Sequence, residues 1–215
     1  MKNDSAAQNQ TTRRILSIVC VTALVVAFMA TLPQPAHADP VTPPPVPHNI
    51  KAPAGNEVFL VGHAVGTQNY VCLPSGSAFS WTLFTPQATL FDDHDRQLAI
   101  HFFGPNPDEK GTVRAAWQTS QDTSTVWGSP IASSSDASFV APGAIPWLLL
   151  QVAGVKDGAT GGDRLTEATF IQRLNTVGGI APSSGCALST DVGKAAFIPY
   201  RADYFFYTDR KRDHK

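Results

Sequence analysis

The densest group of side chains able to do chemistry lies in the stretch "FDDHDRQLAIH", residues 91–101. Its members share oxygen or imidazole donors, the atoms that metal ions bind: Asp92, Asp93, His94, Asp95 and His101. The stretch has neither a His-x-His pair nor the spaced ligands of a calcium loop. We therefore expect a solvated hairpin turn here and predict no metal site.

His101 offers a second chemistry, because an imidazole can act as a general base near neutral pH. A hydrolase that uses His101 needs a carboxylate beside it, and Asp95 and Asp108 are the nearest candidates. A histidine that is bonded to a neighbouring strand or loop is the commoner arrangement. No nucleophile, base and acid with recognisable spacing accompany His101, so the hydrolase is kept as the alternative hypothesis.

The glycine-rich stretch "NTVGGIAPSSGC", residues 175–186, is the third candidate. A phosphate loop ends in Gly-Lys-Ser/Thr before a helix and a nucleophile turn needs Gly-x-Ser-x-Gly, and neither spacing is present. If the leader described below is removed, Cys72 and Cys186 are the two remaining cysteines, and an oxidising compartment would join them. We predict one Cys72–Cys186 disulfide, with the glycines as turn residues beside it.

Aromatic side chains supply candidate ligand-binding surfaces. Tyr70, Trp81, Trp147 and Tyr204 would stack against a ligand if they were exposed, although core packing is more typical of Trp147. Together with His101, we take Tyr70, Trp81 and Trp147 as the candidate ligand-binding residues. No cofactor is predicted.

Short segments with alternating apolar residues must position these side chains. The pattern predicts strands over residues 79–84, 96–104 and 200–208, a strand covered on both faces over 145–154, and a strand over 166–176. Turn clusters such as "LPSGS", "GPNPDEKG" and "KDGATGGD" separate them. The prediction is one all-β domain, residues 54–208, built as a single antiparallel β-barrel or a β-sandwich.

The flanking segments have other compositions. Residues 1–38 carry early basic residues, an apolar run and an Ala-x-Ala site, which predicts a secretory signal peptide; an uncleaved membrane anchor is the alternative. Residues 39–53 contain six prolines and are expected to form an extended lead-in outside the core. Residues 209–215 form a charged tail. Cleavage would leave a secreted or periplasmic protein with no membrane span.

Charge narrows the class of partners. Residues 39–215 contain 13 basic and 16 acidic residues, a net charge of −3, without a basic stripe. Nucleic-acid binding requires a basic surface, so we predict no nucleic-acid partner.

Several ordered motifs carry a family resemblance: "TQNYVC", "FSWTLFTPQATLFDDHDRQLAIHFFGP", "AIPWLLLQVAG", "FIQRLNTVGGIAPSSGC" and "IPYRADYFFY". In this order they resemble the secreted bacterial and fungal family called domain of unknown function 3455, over about residues 53–207. Members of that family typically have Trp after Gly-Pro and then Asp-Gly-Ser, whereas this chain reads "GPNPDEKGT". The resemblance implies export and a shared fold, and it implies no activity.

Two functions follow from these observations. The favoured one is a non-catalytic binding or structural module of the cell envelope, whose barrel interior or strand face holds a small or carbohydrate-like molecule. The alternative is the secreted hydrolase that uses His101 with a nearby carboxylate. A histidine and an acid converging on an open cleft would favour the second.

Overall fold

A computed structural model describes residues 41–210; the predicted signal peptide, residues 1–38, and most of the charged tail lie outside the described residues. Eight strands account for most of this part of the chain: β1 Asn56–Ser75, β2 Ala78–Phe91, β3 Gln97–Asn106, β4 Thr112–Thr119, β5 Thr125–Ser134, β6 Trp147–Lys156, β7 Phe170–Gly178 and β8 Ala195–Asp209. Three 3-10 helices, His48–Ile50, Pro107–Glu109 and Ser189–Asp191, complete it. No helix within residues 41–210 is both long enough and apolar enough to cross a membrane.

The strands form one closed antiparallel barrel in which each strand pairs with the next. β8 closes the barrel by pairing with β1 from Asn56↔Asp209 to Val71↔Ala195. This arrangement confirms the predicted all-β class and decides for the barrel over the sandwich. Because the first and last strands pair with each other, neither of them is left as a terminal edge strand of the sheet.

An apolar cluster packs inside the barrel. Leu90, Val126, Ile171 and Phe206 belong to it and are almost completely buried. The loop between β6 and β7 adds Leu165, which is fully buried in the same cluster. Burial of apolar surface in this cluster provides the main driving force for folding.

A second cluster lies on the outer face of the barrel and corrects the expectation for the lead-in. Residues 39–53 were expected to stay outside the core, yet Ile50 is 0% exposed and packs with Trp147, Leu149 and Leu174. The short helix His48–Ile50 turns the chain so that Ile50 points at the barrel. β6 is apolar on both faces because the lead-in covers the outer one.

The predicted disulfide is confirmed. Cys72 in β1 and Cys186 in the loop between β7 and β8 are joined, with their Cα atoms 5.5 Å apart. The same loop is held by backbone hydrogen bonds, since Cys72 N donates to Lys194 O and Gly193 N donates to Cys72 O. The glycine-rich stretch therefore works as an anchored connection. At Gly179, φ is +85° and a Cβ would lie 2.9 Å from Tyr200 Cβ, so a side chain does not fit.

Candidate functional site in the barrel lumen

A cavity of about 190 Å³ lies inside the barrel, in the half where β3 ends and β6 begins. Side chains from all eight strands line it: Gln68, Leu83, Pro86, His101, Phe103, Ala115, Trp117, Pro130, Leu148, Leu150, Arg173 and Tyr204. Because every strand contributes, the closed barrel itself creates the site. A pocket lined mainly by apolar side chains with a few polar groups is typical of small-molecule sites.

Three aromatic rings form one wall of the cavity. The rings of His101 and Trp117 stack with centroids 4.3 Å apart and 6° between their planes. Tyr204 meets both rings at an angle, 5.0 Å from His101 and 5.3 Å from Trp117. Aromatic contacts of this kind fix ring positions and give a flat, rigid surface for a ligand.

His101 is neutral in this setting. Burial lowers the pKa of His101 to about 3, and the positive charge of Arg173 adds to this effect, while the hydrogen bond to Ala116 opposes it. Nδ1 lies 2.9 Å from Ala116 O, and a carbonyl only accepts, so Nδ1 carries the proton. No carboxylate forms an ion pair with His101 among residues 41–210. A general base needs a pKa near the working pH, so this geometry gives no support to the hydrolase alternative.

Arg173 on β7 is the one charged side chain among the residues that line the cavity. Its Nε and Nη2 donate to the backbone oxygen of Pro146 at 3.2 and 2.8 Å. Within the described part of the chain, no Asp or Glu pairs with it. A guanidinium without a carboxylate partner in a mostly apolar cavity favours an anionic ligand, because it can bind both oxygens of a carboxylate.

One further donor in the cavity wall has no partner. Trp117 Nε1 is buried and makes no hydrogen bond among the described residues. The indole N–H of Trp117 can only donate. A buried donor without a partner costs about 1–3 kcal/mol, and an acceptor on a ligand would remove that cost. The cavity therefore presents a donor to whatever occupies it.

The structure separates the four residues predicted to bind ligand. His101 lines the cavity, whereas Tyr70 lies outside its lining and donates its hydroxyl to Gly179 O at 2.7 Å. Trp81 sits beside the disulfide loop, with Nε1 donating to Ser184 O at 2.9 Å. Trp147 packs in the outer cluster against Phe139, with ring centroids 6.0 Å apart.

Sequence reasoning missed Arg173 and Trp117 as cavity residues. A signal for Arg173 did exist, because it lies two positions after the buried Ile171 and so shares its inward face on the strand. Trp117 lies on β4, which was not predicted as a strand, so nothing placed its ring beside His101.

The stretch "FDDHDRQ" forms the turn between β2 and β3. Asp92 organises the turn by accepting from the backbone N of His94 and Arg96, each at 2.9 Å. Among the described residues, no group of three His, Cys, Asp or Glu side chains is arranged to hold a metal ion.

Two aspartates near this turn contact one histidine. His63 on β1 contacts Asp203 through Nδ1 at 2.7 Å and Asp93 through Nε2 at 2.9 Å. Burial alone would lower the pKa of His63, but the hydrogen bonds and charges of the two aspartates raise it above its usual value. The cluster links β1, β8 and the β2–β3 turn, and it lies outside the lining of the cavity.

Comparisons with known proteins give one match. A family model described as a protein of unknown function (DUF3455) matches residues 53–208. A search of curated proteins and a search of solved structures found no match.

Proposed function

The chain belongs to the DUF3455 family, whose description names no activity, and we propose that it is an exported, non-catalytic protein that binds a small carboxylate in its barrel lumen. The observation that carries this proposal is Arg173, a guanidinium in the cavity wall with no Asp or Glu paired to it among residues 41–210. Export rests on the leader, residues 1–38, and agrees with the disulfide.

The volume of the cavity is sufficient for a ligand head group of about one aromatic ring. At about 190 Å³ it slightly exceeds an engineered protein cavity of about 150 Å³ that binds benzene. The stacked rings of His101 and Trp117 offer a flat surface for a planar group, and Arg173 offers a positive charge for its carboxylate. Benzoate has both features and is the simplest probe.

The lining argues against catalysis as the role of this cavity. His101 stays neutral and lacks an acid partner in the described region, and the hydroxyl of Tyr204 has its pKa raised by burial. Neither group is set to exchange a proton near neutral pH. Binding through fixed donors requires no such exchange.

Calorimetry with benzoate and with the uncharged benzyl alcohol tests the proposal. We expect benzoate to bind the wild type and benzyl alcohol to bind at least tenfold more weakly, since charge-assisted hydrogen bonds contribute about 1.5–3 kcal/mol. Arg173→Gln should weaken benzoate binding by about 10–100-fold. Arg201→Gln, at an exposed arginine on β8, is the matched control and should bind normally.

Absence of benzoate binding to a folded wild type, or equal binding to Arg173→Gln, would contradict the proposal. Export has its own test, because mature protein should begin at Asp39 and contain no free thiol by intact mass. Retention of Met1 would contradict it.

A further inference from the structure

A second, larger hollow lies on the outer surface of β1, β2 and β3, directly outside the cavity. Its volume is about 650 Å³, more than three times that of the cavity. Val65, Ile100 and Phe102 provide its apolar floor, and among residues 41–210 no Asp, Glu, Lys or Arg lines it. Val65 and Ile100 are 49% and 39% exposed, so this apolar surface is open to solvent. We call this hollow the outer groove.

The outer groove and the lumen cavity share a wall. Pro86 and His101 line both of them, so the two spaces are separated by single side chains at this point. Both residues are buried, which means that they fill the space between the groove and the lumen.

The barrel wall is weakest at the same place. Backbone pairing between β2 and β3 runs from Phe91↔Gln97 to Ala88↔His101, and it stops there. Pro86 has no N–H to continue the ladder. Phe103 N donates to the side-chain oxygen of Thr85 at 2.9 Å instead of to a backbone oxygen. Beyond Ala88, β2 and β3 can therefore part without breaking paired backbone hydrogen bonds.

We call this unpaired stretch between β2 and β3 the seam. From it we infer that the ligand is an amphipathic carboxylate, with its head in the lumen and an uncharged tail that passes between β2 and β3 into the outer groove. The inference rests on the proposed function. In the circular order of the strands, β7 lies across the barrel from β2 and β3. The carboxylate of a molecule that enters through the seam head first therefore approaches Arg173 on the opposite wall. Separation of β2 and β3 beyond their last paired residues, at Pro86, opens the passage and leaves the His101–Trp117 stack in place.

The chemistry of the two spaces fits the two ends of such a molecule. The lumen has a positive charge and a buried donor, which suit an oxyanion, but room for only about one ring. The groove has no charged lining residue in the described part of the chain and exposes apolar side chains, which suit a hydrocarbon chain. A tail lying there would cover surface that is otherwise exposed to water.

Benzoate and 4-octylbenzoate share one head and differ in the tail, so calorimetry with this pair tests the inference. Each methylene that becomes fully buried strengthens binding by about fourfold. The groove covers a tail on one side only, and we expect 4-octylbenzoate to bind at least about tenfold tighter than benzoate.

Substitutions of two residues in the outer groove test where the tail binds. Ile100→Gln and Val65→Gln should each remove most of the octyl advantage and leave benzoate affinity unchanged. Val113→Gln is the matched control, because Val113 is a 61% exposed valine on β4 outside the groove lining. It should keep the full octyl advantage.

The outcomes separate this inference from the proposed function. Benzoate binding without any octyl gain overturns the tail site and leaves lumen binding intact. An octyl gain that survives in the Ile100→Gln, Val65→Gln double variant places the tail elsewhere and also overturns it. If benzoate does not bind a folded wild type, the proposed function itself is wrong.

Discussion

The side-chain amide of Gln172 reaches out of β7 and donates from Nε2 to the backbone oxygen of Ile50 at 2.6 Å. Tyr207 holds the same amide by donating its hydroxyl to Gln172 Oε1. This buried chain of hydrogen bonds fastens the lead-in to the outer face of the barrel, where Ile50 covers Trp147 and Leu149.

Truncation of Ile50 should therefore destabilise the whole barrel. We expect Ile50→Ala to lower the free energy of unfolding by about 2–4 kcal/mol, as for other large-to-small changes at buried sites. Urea denaturation measures the difference. Val41→Ala, in the same segment but at a 45% exposed position, should change little. Equal effects of the two variants would mean that the lead-in does not pack on the barrel in solution.

His101 should make the protein less stable in acid. Its pKa in the folded state is about 3, below the unfolded value of about 6.5, so unfolding takes up a proton between these limits. Its contribution to stability is complete above about pH 6.5 and declines as the pH falls towards 3, by about 2–3 kcal/mol at pH 4.5. In His101→Phe this part of the pH dependence should vanish. Parallel pH profiles of the two proteins would contradict the buried, neutral imidazole.

His63 should show the opposite dependence. The raised pKa means that its stabilising effect is present below the unfolded value of about 6.5 and is lost as pH rises through the folded pKa. An NMR titration of the imidazole should place its midpoint above 6.5 in the wild type. Asp203→Asn removes the 2.7 Å partner and should lower that midpoint. An unchanged midpoint would show that the contact is absent in solution.

The disulfide should contribute strongly to stability. Cys72 and Cys186 are 114 positions apart, and closing a loop of that length contributes about 4–5 kcal/mol in the chain-entropy model. Cys72→Ala, Cys186→Ala and the double variant should lower the melting temperature by similar amounts, since each removes the same bridge. The controls Ser183→Ala and Ser184→Ala, both at exposed positions, should have little effect. Additive losses in the double cysteine variant would contradict the bridge.

Asp122 should be the critical residue of the turn between β4 and β5. Its carboxylate accepts from Thr119 Oγ1, from the N and Oγ of Ser124, and from Arg164 N in the β6–β7 loop. Burial would raise the pKa of Asp122, but these hydrogen bonds hold it well below its usual range.

Asp122→Ala should cost about 1–3 kcal/mol of stability at neutral pH, measured by urea denaturation, because several donors lose their acceptor. The loss should shrink as pH falls below about 4, where the carboxylate contributes less in the wild type. Asp157→Ala, at an exposed position in the same loop as Arg164, is the control. A loss that stays constant down to pH 2 would argue against the charge as its source.

Local patterns were sufficient to predict the class of fold and five of the eight strands. β2 and β8 contain the predicted segments, whereas β3, β6 and β7 overlap theirs and begin at Gln97, Trp147 and Phe170 instead of at residues 96, 145 and 166. β1 was not predicted as a strand, because Gly62 and Gly66 interrupt its alternation of apolar residues. Both glycines are needed for close packing, since a Cβ would lie 2.8 Å from Leu90 Cδ2 at Gly62 and 2.1 Å from Gln87 O at Gly66.

The site was much harder to predict than the fold. Cys72 and Cys186 were paired by simple counting, but Arg173, Trp117 and His101 come from β7, β4 and β3 and meet only inside the closed barrel. Their meeting depends on strand register, which a sequence pattern of period two does not set on its own. The segment that buries Trp147 was equally hard to identify, because Ile50 lies almost 100 residues earlier in the chain.

Closure of the barrel also sets the order in which the protein can fold. The final strand pairs with the first, and Arg210 contacts Glu57 across 153 positions of sequence. Contacts of such high sequence separation form slowly. Until β8 has paired, β1 and β7 are open edges that can pair with other chains. A chain in which the fifteen-residue strand Ala195–Asp209 has not yet paired is therefore more prone to aggregation than the closed barrel.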